Sequence, residues 1–162
     1  MFGDVWMIYT THTEDFVHEF YTRMGILEPK QFDFQEIATQ FGIQLFYWPD
    51  KSQALFLKEQ AYIFLNEQLT PQQRWQDFCH ELAHVLLHSG HQGRMSPLYR
   101  EYQENKANNF MYHACIPTFM LDELEQYDAS VLTIQHVQQL FNVEYDFAVK
   151  RLEQYISNKQ LF

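Results

Sequence analysis

No stretch restricts what this chain can fold into more than Thr70–His88, which reads TPQQRWQDFCHELAHVLLH. Thr70 can cap a helix, Pro71 suits the first helical position, and Gln73 stands three residues after the cap, placed to close a capping box. Inside the stretch, His80, Glu81 and His84 form His-Glu-x-x-His. Residues four apart on a helix lie about one turn, roughly 6 Å, apart along its axis, so both imidazoles leave one face and can share an ion. Glu81 sits about 100° round from His80, close enough to reach a water on that ion without ligating it. The other side carries Trp75, Phe78, Cys79, Leu82, Val85 and Leu86, an apolar surface that needs a core to cover it. These residues predict a buried helix that presents a metal.

The chain has 162 residues, which predicts one domain able to bury a core without disulfides or other staples. With 46% hydrophobic and 17% aromatic residues, the composition is that of a folded chain and excludes a disordered one. A formal net charge of −10 leaves no basic surface broad enough for phosphate-dominated binding, so direct nucleic-acid binding is not expected. The two cysteines form no Cys-x-x-Cys pair, the first ten residues lack a signal-peptide pattern, and no apolar run reaches the roughly 18 residues that cross a bilayer. A cytoplasmic protein with no membrane contact is expected. Cys79 points about 100° away from His80 and reads as a small core residue.

Taken in order, Val5 to Tyr9 suggests a short strand. Thr11-x-x-Glu14 then opens an amphipathic helix with Phe16, Phe20 and Met24 at helical spacing, ended by Gly25. Its His12 and His18 have no ligand partner at i+4 and read as surface residues. Asp33 caps a second helix carrying Phe34, Ile37, Ala38 and Phe41 up to Gly42. Strands are predicted over 43–48, 54–58 and 61–66, the last two joined as a hairpin through Glu59-Gln60, although the usual Asn-Gly chemistry is missing. About three strands are thus delivered just before the metal helix. After it come a break at Ser89-Gly90, a loop to Met95, and a helix opened by Ser96-Pro97 that runs to about Cys115 before Pro117.

Catalytic zinc takes three protein ligands and keeps a position for water, so His80 and His84 need a partner. One extended pattern puts a glycine three residues after the second histidine and a third histidine three beyond that. Those positions hold Leu87 and Gly90, and His91 is one residue off, which disfavours a three-histidine site. The helix 97–115 instead offers Glu101 and Glu104, on one face with Asn108, Met111 and Cys115. Spacing alone permits either glutamate.

HELAHVLLH followed by ENKANNF, that is Glu-x-x-Ala-Asn-x-Phe, resembles the ImmA/IrrE-type metallopeptidases, small zincin-like proteins found beside repressors of phages and mobile elements. The strand pair and Thr-x-x-Gln entry before the helix and the proline after the second helix extend the resemblance over roughly residues 33 to 120. It implies one Zn2+ ion held by His80, His84 and Glu104 in a gluzincin-like set, with Glu81 as catalytic base. It also implies Asn108 as a partner that accepts an N–H from a ligand imidazole. Where relatives commonly continue Phe-Ala-x-x-Leu-Leu-x-Pro, this chain has Phe110-Met-Tyr-His-Ala-Cys-Ile-Pro117, which alters the helix toward the pocket. The large sensor domain of longer IrrE-type members is absent from this sequence.

The expected architecture is therefore a single α+β, zincin-like metallopeptidase domain over 1–162, with a sheet of about three strands on the metal helix and further helices around it. Its parts are an N-terminal helical extension (1–32), a catalytic core (33–120) and a helical tail (121–162). In that tail Asp122 to Tyr127 is acidic and helical, and two helical patterns over 133–141 and 144–156 flank Asn142-Val143 like a helix-turn-helix. The second pattern opens with Glu144 and Asp146 and has only Lys150 and Arg151 nearby, which favours packing or protein docking over DNA.

The expected activity is that of a zinc endopeptidase attacking a protein through Glu-assisted, zinc-bound water. Tyr99, Tyr102, His91 and His113 are candidate donors to the developing oxyanion. The substrate would lie extended along a sheet edge, and the resemblance implies a helix-turn-helix repressor in that role. Two rival readings are a non-proteolytic zinc-containing anti-repressor and a DNA-binding regulator acting through residues 133–156. Spacing carries no information on oligomeric state.

Overall fold

Thr11, Asp33, Thr70, Ser96 and Thr133 each accept a hydrogen bond from one of the first free backbone N–H groups of a helix, and these caps set where those helices begin. The computed structural model describes residues 11–87 and 96–160, so the strand expected over Val5–Tyr9 and the loop after the metal helix lie outside the described residues. Among the described residues are helices α1 (His12–Arg23), α2 (Phe34–Gln40), α3 (Pro71–Leu87), α4 (Pro97–Cys115), α5 (Thr118–Asp128), α6 (Ile134–Phe141) and α7 (Tyr145–Gln160). Strands β1 (Gln44–Trp48), β2 (Gln53–Leu57) and β3 (Gln60–Asn66) form one mixed sheet, giving the expected α+β, zincin-like architecture. None of the described helices is long and apolar enough to cross a membrane. The chain divides into two compact units, one of Asp33–Met111 and one of the segments on either side of it.

In the unit 33–111, β3 is the central strand, parallel to β1 and antiparallel to β2. Alternation along β3 sends Ile63 and Leu65 inward, both fully buried, against α3. The buried side of α3 consists of Trp75, Phe78, Cys79, Leu82 and Ala83, with Phe34 of α2 packed on Phe78 at 5.3 Å between ring centroids. On the outer face Phe64 stacks with Phe46 at 5.5 Å and meets Trp48 at 4.7 Å. Asn66 fixes the β1–β2 connection, its side-chain amide donating to the Pro49 and Asp50 carbonyls. The hairpin turn is Lys58-Glu59, one residue earlier than expected, with φ of 49° and 66°. Two consecutive left-handed residues make a type I′ turn, the form whose twist suits a two-residue hairpin and which usually requires Asn-Gly.

In the other unit the buried side of α1 is Val17 and Tyr21, while Phe16 of the expected stripe is exposed. Pro117 stops α4 and leaves its last carbonyls without helical partners. The Tyr21 hydroxyl donates to the Ala114 carbonyl at 2.6 Å, and Arg151 of α7 donates through Nε to the Ile116 carbonyl at 2.9 Å and through Nη2 to Thr118 Oγ1 at 2.8 Å. Arg151 is fully buried, and burial pulls its guanidinium down to about 10 against the raising influence of Glu14, so it is charged at neutral pH. From the sequence, Arg151 counts with Lys150 as one of the few cations in the second helical pattern of the tail. It serves a helix end instead. Asn142, at φ 54°, turns α6 into α7. Tyr155 of α7 donates to Asp122 and Glu125 of α5, and Lys159 pairs with both carboxylates.

Two stability effects follow from these contacts. Replacing Lys58 by Asn together with Glu59 by Gly removes the left-handed strain and should stabilise the fold by about 1 kcal/mol, or about 2–4 °C in Tm. An unchanged or lowered melting temperature contradicts that account. Lys159 and Tyr155 hold the Glu125 carboxyl below its ordinary value of 4.5, so the ion pair stabilises above that pH and is lost as the carboxylate protonates on acidification. Lys159→Met should therefore destabilise by at most about 1 kcal/mol at pH 7, given its exposure, with the difference shrinking as the pH falls below 4.5 in urea melts.

Candidate metal centre

The capping box expected at the start of α3 is formed. Thr70 Oγ1 accepts from the Gln73 N–H at 3.2 Å, and Gln73 Oε1 accepts from the Thr70 N–H at 3.1 Å. With the apolar side of α3 committed to the sheet, His80 and His84 face the other way and stay partly accessible. Their Nε2 atoms lie 3.3 Å apart. Glu104 comes from α4 and reaches both, with Oε2 at 3.0 Å from His80 Nε2 and Oε1 at 3.0 Å from His84 Nε2. The three side chains form a group able to hold a metal ion, and Glu101 is exposed on the same helix.

These distances test the fit to zinc. Tetrahedral ligand atoms at roughly 2.0–2.1 Å from the ion stand about 3.3 Å from one another, close to the separations found here. Two imidazole nitrogens and a carboxylate make a donor set suited to zinc. Burial lowers the His84 pKa, with Glu104 opposing and His80 adding to the effect, which favours the neutral imidazole that a metal needs. Four residues of one unit, His80, Glu81, His84 and Glu104, thus supply a ligand triad and a carboxyl beside it.

Glu81 is 8% exposed. Burial, followed by the Glu104 and Asp77 carboxylates, pushes its carboxyl up to about 8, while the nearby Ala54 backbone amide and the charge of Lys51 pull it down. A cation between Glu81 and its neighbouring carboxylates would favour the ionised form. The protonation of Glu81 is therefore set by its surroundings.

The other residues singled out from sequence lie as follows. Asn108 is exposed, one turn after Glu104. Tyr99 and Tyr102 are exposed and stack on one another at 6.2 Å, with the Lys106 ammonium over the Tyr102 ring at 5.1 Å. They leave α4 about 140° and 160° round from Glu104, so their hydroxyls are aimed away from the ligand face. His113 is 1% exposed, which leaves nothing for a substrate to touch, and His91 lies outside the described residues. Asp77 and Lys51, whose charges act on Glu81, do not stand out in the sequence, because single charged residues outside a motif carry no signature of what they will face.

A family profile for the IrrE N-terminal-like domain, Peptidase_M78, matches residues 38–153. The chain belongs to this family. Its metallopeptidase character agrees with the cluster of His80, His84 and Glu104, which could hold a metal ion. This IrrE-like chain is 37% identical over 152 residues to the phage-like element PBSX protein XkdA of Bacillus subtilis, covering 93% of this chain and 76% of that protein. It is 35% identical over 150 residues to the uncharacterized protein YqaB of the same organism, covering 92% and 87%. Among solved structures it superposes on a Mycobacterium tuberculosis transcriptional regulator with a TM-score of 0.61 at 18% identity, a likeness of fold. The superposition covers 89% of this chain and 47% of that one, so the IrrE-like chain spans about half the regulator's length.

Zinc content after chelation and reconstitution checks the ligand set. Wild type and Glu101→Ala should hold one equivalent, and His80→Ala, His84→Ala and Glu104→Ala should fall well below it. Equal loss in Glu101→Ala and Glu104→Ala, or loss in neither, would remove Glu104 from the site.

Proposed function

We propose that this chain is a zinc endopeptidase acting on a protein substrate, a helix-turn-helix repressor of a phage or mobile element, so that cleavage relieves repression. The observation that carries the reading is the convergence of His80, His84 and Glu104 within hydrogen-bond distances, with the buried Glu81 next to them on α3. The phage-like setting of the XkdA relative supports the choice of substrate class. Asn108 would steady a ligand imidazole.

His80, His84 and Glu104 would hold the ion, and zinc bound there would supply Lewis-acid chemistry to a water and to the scissile carbonyl. Glu81 takes a proton from the attacking water and returns it to the leaving amine, so that the C–N bond breaks as a neutral amine departs. Its low exposure keeps bulk water from competing for the proton. The substrate strand lies on the free edge of β2, because β2 is the edge strand that packs against α3. The acidic chain, at −10, attracts a basic DNA-binding partner and speeds encounter at low salt.

A DNA-binding role for 133–156 loses support from the burial of Arg151, which removes one of the few cations there. Glu81→Gln should keep its zinc and lose at least about 10²-fold in the rate of repressor cleavage, followed by gel and mass spectrometry. Derepression by this variant at wild-type level, without cleavage, would establish the non-proteolytic anti-repressor in place of the peptidase.

A further inference from the structure

We propose that a strip on the outside of α7, where Tyr145, Val149 and Ile156 run beside Asp146 and Glu153, docks a basic amphipathic helix of the repressor. The identity of the partner rests on the peptidase reading, and the strip belongs to a helix that carries none of the metal-site residues. The buried side of α7 is Phe147, Ala148, Arg151, Leu152 and Tyr155. At about 100° per residue, Tyr145, Val149 and Ile156 fall within about 40° of one another just beyond that side, and Glu153 and Asp146 follow farther round. Tyr145 is 47% and Ile156 52% exposed, Val149 is half-buried, and both acids are exposed. Apolar residues scattered singly on a surface are ordinary, whereas these recur over about three turns of one helix.

The cations of α7 are committed within the fold. Arg151 donates to the Ile116 carbonyl and Thr118, Lys159 pairs with Asp122 and Glu125, and the Lys150 ammonium lies over the Tyr112 ring at 5.0 Å. Among the described residues no ion pair reaches Asp146 or Glu153, so the strip is anionic as well as apolar. The unit formed by 1–32 and 112–162 has 12 acids against 5 lysines and arginines, and the unit 33–111 has 9 against 6, so the first carries −7 of the −10. A helix with lysines or arginines beside an apolar face complements such a strip, and DNA-binding proteins carry basic residues to meet phosphates. The same acids repel DNA, an anionic lipid surface and a second copy of this chain. Three partly exposed apolar residues cover much less than the roughly 800 Å² per partner of a stable interface, which suits capture of one helix and release after cleavage.

Fluorescence anisotropy with the full-length, zinc-loaded protein tests docking directly. The probe is a fluorescein-labelled peptide of about 18 residues with leucine and lysine at helical spacing, and the control is a scramble that keeps its composition and charge. The probe should bind more tightly than the scramble, and its binding should weaken as salt is raised. Asp146→Lys with Glu153→Lys should weaken it at least about 10-fold, and Tyr145→Ser with Ile156→Ser at least about 5-fold. Equal binding of probe and scramble, or wild-type binding by either double variant, overturns the inference. So does a wild-type dimer in sedimentation that Tyr145→Ser with Ile156→Ser dissociates, because a second copy is then the occupant. On the repressor used to follow cleavage, both double variants should raise KM at least about 5-fold with kcat held, while kcat/KM on a short quenched peptide stays within about 2-fold of wild type. A fall in kcat with KM unchanged overturns it as well. If the wild type cleaves neither substrate, the peptidase reading fails by itself, and the anisotropy still decides whether the strip takes a basic helix.

Discussion

Trp75, Phe78, Cys79, Leu82 and Ala83 have to leave water, and the face of β3 that carries Ile63 and Leu65 is where they go. Each large side chain so buried contributes about 1.5–3 kcal/mol, far more than any single polar contact near the site. This packing fixes the rotation of α3 about its axis. Once the apolar side is committed, His80 and His84 can only face the opposite way, toward Glu104. The chemistry is thus presented by a helix whose orientation is set by the hydrophobic effect, which acts before any metal is bound.

The same commitment explains the environment of Glu81. Lying about 100° round from His80, it falls between the buried side of α3 and the ligand face, where burial and two neighbouring carboxylates disfavour its charge. One amide of the β2 edge and one lysine oppose them. A histidine helix packed on a different surface would keep its motif and lose this balance. The unit formed by residues 33–111 therefore contains both the three side chains able to hold a metal ion and the groups that set the charge of Glu81.

In the other unit, buried polar groups serve helix ends. The break imposed by Pro117 leaves carbonyls that Tyr21 and Arg151 satisfy from distant parts of the chain. An unpaired buried carbonyl is costly, so these long-range donors matter for holding the α4–α5 corner. Here a residue that looks like a surface cation in the sequence turns out to be fully buried. Local charge patterns do not reveal a hydrogen bond formed with a residue 35 positions away.

The amino-acid sequence by itself determined the elements whose causes are local. Thr70, Asp33 and Thr133 cap helices through their own side chains, Gly25 and Gly42 take left-handed turns, and the four-residue spacing of His80 and His84 puts them on one face. It left Glu101 and Glu104 undecided until family resemblance chose, because spacing along α4 cannot say which side of that helix meets α3. The exact turn of the β2–β3 hairpin was misplaced by one residue, since Lys58 and Glu59 lack the chemistry that usually marks a type I′ turn. Tertiary structure alone decided the sheet order β1-β3-β2, the burial of Arg151 and the burial of Glu81. All three depend on contacts between segments far apart in the chain, so no spacing or composition could have announced them.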